Sequence, residues 1–400
     1  MPHRPAQTAL SALVVAATLV ACTGQSGHPG ASRAPLPHTA TPPTASSHAP
    51  SAAPAGFSIA ATGDLLPHEP VVAAAARAAG GNGYDFRPLF AEVRPILSRA
   101  DLAICHVETP LSADDRSLSY YPDFQSPHEL AAAVRWAGFD TCTTASNHTM
   151  DQGPAGVRHT LDALDAAGVQ HVGAARSAAE AARPHFYTVR GYRIAHLDYT
   201  YGLNGHRVPV DQPWLVPLID ASRILRDART ARAAGARFVI VSFHWGTEYV
   251  SAPNSQQRTL ARQLLGSPDI DLLLGSHTHV LQPIERINDK FVVFGMGNFL
   301  ARHSACCDTP QTSDGVIVNI TVREVGGRLL VSRLTYTPTL VDRATLAIVP
   351  LAERLATHRQ SPPRDALVAS WARTVSRIDQ LGAAEYGVLP DSVPPGLPSR

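Results

Sequence analysis

Alternation of apolar, strand-like runs with alanine-rich helical stretches predicts an α/β fold with largely buried strands. Three observations carry the prediction. Seven apolar runs between residues 57 and 299 each end abruptly in a polar tip. The stretches between them at 128–137, 154–167 and 220–234 have helical spacing. Further on, "GVIVNITVREVGGRLLVSRLTYTPTLV" alternates apolar and polar residues around Gly326-Gly327. That is a hairpin signal, and it adds antiparallel strands toward the C-terminal edge of the sheet.

The elements follow in chain order. Arg4 precedes an apolar run from Ala9 to Ala21. The run has the length of a signal-peptide core and falls short of the roughly 20 apolar residues a spanning helix needs. It ends in "LVAC", which resembles a lipobox. Residues 1–22 are therefore expected to be a lipoprotein signal peptide, with Cys22 lipidated and the mature chain anchored outside the cytoplasm at the cell membrane. Residues 23–55 are rich in Pro, Ala, Ser, Thr and His with almost no large apolar side chain. They cannot bury enough surface to offset their ordering entropy, so a disordered linker is expected. The folded domain is expected at 56–350, and a loosely attached helix followed by a disordered tail at 351–400.

Composition narrows the partners. Apolar residues make up 44% of 400, enough for a sizeable core, while the formal net charge is only +1. Nothing here forms the basic face that nucleic acid requires. Cys105 and Cys142 lie inside apolar runs and are expected as buried thiols. Cys306 and Cys307 are adjacent, and a bridge between them would close a strained ring. No Cys-x-x-Cys occurs, which argues against a thiolate zinc site.

The polar tips point to chemistry. "FSIAATGD" ends on Asp64, "ADLAICHVE" on His106 and Glu108, and "FDTCTTASNH" on Asn147 and His148. "FVIVSFHWGTE" ends on His244 and Glu248, "DIDLLLGSHTH" on His277 and His279, and "KFVVFGMGNF" reaches Asn298. Carboxylate, amide and imidazole are ligands for hard or borderline divalent metals. Strand ends are where sites assemble in open α/β sheets. Singly, each residue reads better as a hydrogen-bonded strand end; the joint occurrence at five strand ends carries the argument. Gly275 is expected to permit a tight exit from the strand before His277 and His279.

Five motifs occur in order: "GD" at 63–64, "NHTMDQG" at 147–153, "HWGTEY" at 244–249, "GSHTHVLQPIE" at 275–285 and "GMGNF" at 295–299. Together they resemble the CapA family, linked to poly-γ-glutamate capsule synthesis and similar to calcineurin-like metallophosphoesterases. The resemblance covers about residues 57 to 320. It implies a four-layer αββα sandwich, metallophosphoesterase-like, holding one or two divalent ions of manganese, iron or zinc. It further implies Asp64, Glu108, Asn147, His244, His277 and His279 as metal ligands. His148 is implied as the general acid, and Asp151, three residues on, could orient it. The family pattern has an amide at His106 and a histidine at Ser276. The superfamily often has a histidine at Leu66, with His68 two residues further here.

Such a set would support metal-assisted hydrolysis, with ions that acidify water and polarise the scissile bond. The implied substrate is an anionic polymer such as poly-γ-glutamate. Two other readings stay open. One is a non-catalytic component acting with membrane polymer synthase subunits, and the other is a plain phosphoesterase.

Overall fold

The computed structural model describes residues 55–303, 307–357 and 361–399. The expected signal peptide at 1–22, the lipidated Cys22 and the linker at 23–55 (Ala55 apart) lie outside them, as does Cys306. In chain order the strands are β1 (Gly56–Leu66), β2 (Leu102–Val107), β3 (Thr141–Thr143), β4 (Gln170–Val172), β5 (His185–Val189), β6 (Tyr192–Thr200) and β7 (Phe238–His244). There follow β8 (Leu272–Ser276), β9 (Ile284–Ile287), β10 (Lys290–Val293), β11 (Asn298–Ala301), β12 (Asp314–Val325), β13 (Arg328–Val341) and β14 (Ile348–Pro350).

They form two sheets. The first runs β14-β13-β12-β1-β2-β3-β4, with β11 also paired to β1. β1 to β4 are mutually parallel, and β12 to β14 add the antiparallel edge expected from the Gly326-Gly327 hairpin. The second runs β5-β6-β7-β8-β10-β9, parallel at its centre with antiparallel strands at both edges.

The sheets stack face to face, and the period-two alternation of side chains decides what each face meets. On β1, Ile59 and Ala61 join Ile194, Ile240, Leu272 and Leu274 of the second sheet in the inter-sheet core. Ala60, between them, faces the other way and joins Val71, Val72, Leu130, Val134 and Leu164 of the helices Glu69–Ala78, Glu129–Ala137 and Gly153–Ala166. On the far side, Val239, Val241 and Leu273 of the second sheet meet Ile224, Ala228, Leu260 and Leu264 of the helices Ala221–Ala233 and Ser255–Leu265. The result is helix, sheet, sheet, helix: the four layers expected. Strands buried on both faces explain the near-continuous apolar runs in the sequence.

Three expectations are corrected. Cys105 and Cys142 are register partners on β2 and β3, with Cα atoms 4.4 Å apart, and they form a disulfide rather than two thiols. Apolar flanks fix burial and say nothing about which strand lies alongside. Residues 361–399 are not loosely attached. The helix Arg364–Ile378 buries Trp371 completely, and its Ser370 and Arg373 bond to Asp314 at 2.6 and 2.7 Å. Ile378, Ala383 and Val388 join the inter-sheet core, and the backbone at Leu389 and Asp391 bonds both polar groups of Tyr336 on β13. The Pro-rich ending reads as disorder because its partners, such as Tyr336 and Trp371, are distant in sequence. Gly275, finally, is not the exit hinge. It lies within β8 and is needed for close approach: a Cβ there would sit 2.0 Å from the Phe294 carbonyl oxygen and 2.5 Å from Trp245 Nε1. His277 and His279 make the turn themselves, with φ of 99° and 57°.

Candidate metal centre

The C-terminal ends of β1, β2, β3, β7 and β8 meet at one edge, and each delivers a polar side chain there. Asp64 comes from β1, where a Cβ on Gly63 would lie 1.8 Å from the Gly297 carbonyl oxygen. Only glycine lets β1 approach so closely. Glu108 follows β2, Asn147 and His148 follow β3, His244 ends β7, and His277 and His279 follow β8. The left-handed backbone at His277 and His279 is strained for residues with a Cβ, a cost of about 1–3 kcal/mol each that tends to persist at functional sites. Asp64 helps hold it: the His277 backbone N–H donates to the Asp64 carboxylate at 3.2 Å.

All six expected ligands converge. Asp64, Glu108 and His279 offer atoms within 4.8 Å of one another, and so do Glu108, His244 and His277. His244 Nε2 lies 2.8 Å from Asn147 Oδ1, 3.0 Å from His277 Nδ1 and 3.6 Å from Glu108 Oε1. The Asn147 amide is oriented, because its Nδ2 donates to Asn204 Oδ1 at 3.2 Å. His279 Nδ1 faces Asn298 Oδ1 at 3.1 Å and Asp64 Oδ2 at 3.4 Å, while its Nε2 lies 3.9 Å from Glu108 Oε1.

The electrostatics follow from burial. Glu108 is pushed well above the usual carboxylate range by burial, and neither carboxylate oxygen has a hydrogen-bond partner. Burial depresses His244 strongly, His277 to about 3 and His106 to about 4. His279 differs. Burial opposes its protonation, yet Glu108 and Asp64 hold it at about 9.

The donor set fits a divalent cation. Native structures leave few buried polar atoms unpaired. Here one proton on His244 Nε2 cannot serve Asn147 Oδ1, His277 Nδ1 and Glu108 Oε1 together, whereas a cation among them would. Neutral imidazole and ionised carboxylate are the ligating forms. Oxygen and imidazole donors suit manganese, iron or zinc alike.

His148 and Asp151 stand beside this cluster. His148 Nδ1 lies 2.7 Å from Asp151 Oδ2, which also accepts the Phe124 backbone N–H at 2.7 Å. Asn204 Nδ2 reaches His148 Nε2 at 3.5 Å. Asn204 therefore touches both Asn147 and His148, from a loop that carries no metal-type pattern. Nothing local in the sequence marks it except a left-handed φ of 49°, which asparagine tolerates. Asn298 sat in a quoted motif without a role; here it orients His279 and donates to His303 Nε2 at 3.0 Å. Tyr201, 43% exposed, lays its ring 4.5 Å from that of His277 at the rim. Leu66 is buried apolar. His68, near it, lies 3.0 Å through Nδ1 from the Leu66 carbonyl oxygen, its ring tilted against that of His303, and it joins none of the candidate metal-binding groups among the described residues.

The chain is similar to known proteins. The family described as bacterial capsule synthesis protein PGA_cap matches residues 58–303. The capsule biosynthesis protein CapA of Bacillus anthracis is 27% identical over 257 residues, 62% of this chain and 61% of that one. The PGA biosynthesis protein CapA of Bacillus subtilis is 28% identical over 273 residues, 65% of this chain and 67% of that one. The chain thus spans about six-tenths to two-thirds of the length of these relatives. Among solved structures, the calcineurin-like phosphoesterase YfkN from Bacillus subtilis aligns over 80% of this chain and 97% of that one, at 14% identity and a TM-score of 0.41.

Proposed function

The chain belongs to the bacterial capsule synthesis protein family PGA_cap, and from that premise we propose that it acts on poly-γ-glutamate, or a like anionic envelope polymer, as a metal-dependent hydrolase or transferase. One observation carries the proposal: a buried cluster in which Asn147 Oδ1, His277 Nδ1 and a Glu108 carboxylate without a hydrogen bond converge within 3.6 Å of His244 Nε2, beside a His148–Asp151 pair.

Asp64, Glu108, Asn147, His244, His277 and His279 would hold one or two divalent ions. When bound, such an ion supplies Lewis-acid polarisation of the scissile group and acidifies water. The remaining roles belong to the chain. Asp151 Oδ2 accepts a hydrogen bond from His148 Nδ1–H, which fixes the ring and leaves Nε2 facing Asn204, beside the cluster. A proton held at Nε2 would then pass to the leaving group. The Asn204 amide, at Nε2 in this structure, would yield that position to the substrate. Tyr201 forms an aromatic wall at the rim.

Placement outside the cytoplasm, with a lipid on Cys22, completes the reading. The Cys105–Cys142 disulfide supports it, because such bonds persist in oxidising compartments. No helix among the described residues is long and apolar enough to cross a membrane. Labelling with a fatty-acid analogue should mark the wild type and not Cys22→Ala; a variant that keeps label and stays with membranes removes the anchor.

A second reading has its own support. Leu66 and Ser276 stand where metal-binding side chains are expected, which favours a non-catalytic component acting with polymer synthase subunits. Metal-loaded wild type, assayed on poly-γ-glutamate and on an aryl phosphate, separates the two. Turnover of the polymer is expected. Turnover of the phosphate alone makes the protein a plain phosphoesterase, and turnover of neither leaves the assembly role.

A further inference from the structure

We propose that His106 is a positioning residue: it holds the His244 ring in the tautomer whose Nε2 lone pair faces the cluster. The inference rests on the metal-site reading and goes beyond it, since that reading gives His106 no part. His106 is 2% exposed, and its ring stacks on that of His244 with centroids 4.9 Å apart. Its Nε2 lies 3.0 Å from His244 Nδ1. Its Nδ1 lies 2.7 Å from Thr143 Oγ1, on the residue paired with it across β2 and β3. Thr143 Oγ1 in turn reaches the Cys105 carbonyl oxygen at 3.3 Å.

The polarity of this relay can be worked out from its ends. A neutral imidazole carries one proton, so a His244 that offers its Nε2 lone pair must carry that proton on Nδ1. His106 Nε2 is the acceptor in place for it. To accept there, His106 keeps its own proton on Nδ1 and donates to Thr143 Oγ1. Thr143 donates to the Cys105 carbonyl oxygen, which can only accept, and the relay ends. A hydroxyl can also donate inward, so the same three groups support the reverse polarity in the metal-free protein. His106 therefore holds the His244 ring in place in either state.

Asp64, His106 and His244 do offer atoms within 4.8 Å of one another. Coordination by His106 Nε2 would, however, break its bond to His244 Nδ1. The geometry assigns His106 to the ligand's support and not to the ion. Outer partners of this kind are typically worth about 10–100-fold in metal affinity.

The test titrates Mn²⁺ alone into the metal-free full chain by calorimetry, with stoichiometry from elemental analysis, for wild type, H106L, H106Q and T143V. All four should bind the same number of ions. H106L, which keeps volume and loses the acceptor, should bind about 10–100-fold more weakly. H106Q, whose amide oxygen reaches the position of Nε2 and can accept from His244 Nδ1, should recover most of that loss, and T143V should fall between. In wild type, imidazole ¹⁵N shifts should show the His244 proton on Nδ1 once Mn²⁺ is replaced by diamagnetic Zn²⁺. Affinity in H106L equal to wild type overturns the proposal. So does loss of a whole ion in both H106L and H106Q, which would make His106 a ligand. Should H106L not fold, unchanged affinity in T143V overturns it. A wild type that takes up no ion fails earlier and brings down the metal-site reading with it.

Discussion

His196 on β6 and His244 at the end of β7 lie on neighbouring strands, and both side chains are fully buried. Burial depresses both imidazoles, His196 to about 3 and His244 well below the usual range. Their partners differ. His196 Nδ1 meets the Tyr187 hydroxyl at 3.1 Å and its Nε2 meets Ser242 Oγ at 2.8 Å. A hydroxyl donates or accepts as required, so either tautomer of His196 is satisfied within the protein. His244 Nε2 instead faces an amide oxygen, a second imidazole nitrogen and a carboxylate that makes no hydrogen bond. Burial and a shifted pKa do not distinguish a core histidine from a ligand. The distinguishing feature is a set of lone pairs that no single proton can satisfy.

The comparison breaks most sharply under truncation. His244→Ala should lose bound metal and turnover together, while His196→Ala keeps its metal. Elemental analysis of the two purified variants checks this, and equal metal content in both would erase the distinction. Next in size is His148→Ala, which removes a group beside the cluster but outside it. It should keep metal and fold and lose about 10²–10⁴-fold in turnover on whichever substrate the wild type accepts. Wild-type rates in a metal-replete variant would leave His148 with a purely local role.

His196→Phe tests the core side of the comparison. The Tyr187 and Ser242 hydroxyls lose a partner, and stability should fall by about 1–3 kcal/mol at neutral pH with metal content unchanged. The variant also has a pH signature. His196 has a folded pKa lowered to about 3, so its contribution is present above about 6.5 and is lost as pH falls from there toward 3. Wild-type stability should therefore drop with acid more steeply than that of the variant, by about 1.4 kcal/mol per pH unit for this one group. Denaturant melts at pH 4, 5 and 7 read the slope; parallel curves would mean that His196 is already charged or solvated. Smallest is Tyr187→Phe, at about 1 kcal/mol, since Ser242 still serves His196.

How much of this was legible depends on sequence distance. The strand tips Asp64, Glu108, Asn147, His244, His277 and His279 were visible because an apolar run that stops on a metal-type residue is a local pattern. The apolar run of β1 likewise foretold a buried strand, and the alternation around Gly326-Gly327 the hairpin. Pairings across the sheets were not visible. His106 and His244 are 138 residues apart, and Asp64 and His277 are 213 apart. No local periodicity records that His106 stacks on His244 or that Asn204 reaches Asn147. The Cys105–Cys142 bridge was missed for the same reason, since each cysteine read alone is a small buried apolar residue. The fit of residues 379–399 against β13 was hidden by their proline content, which looks like a linker unless the waiting backbone of Tyr336 is known.

The central claim is that these strand ends hold a divalent ion, and anomalous scattering from a crystal of the full chain soaked in Mn²⁺ tests it most directly. The account predicts one or two peaks within the space bounded by Asp64, Glu108, Asn147, His244, His277 and His279. Peaks only elsewhere, such as at the surface group of Asp115, His128 and Glu129, or no peak at all, would contradict it.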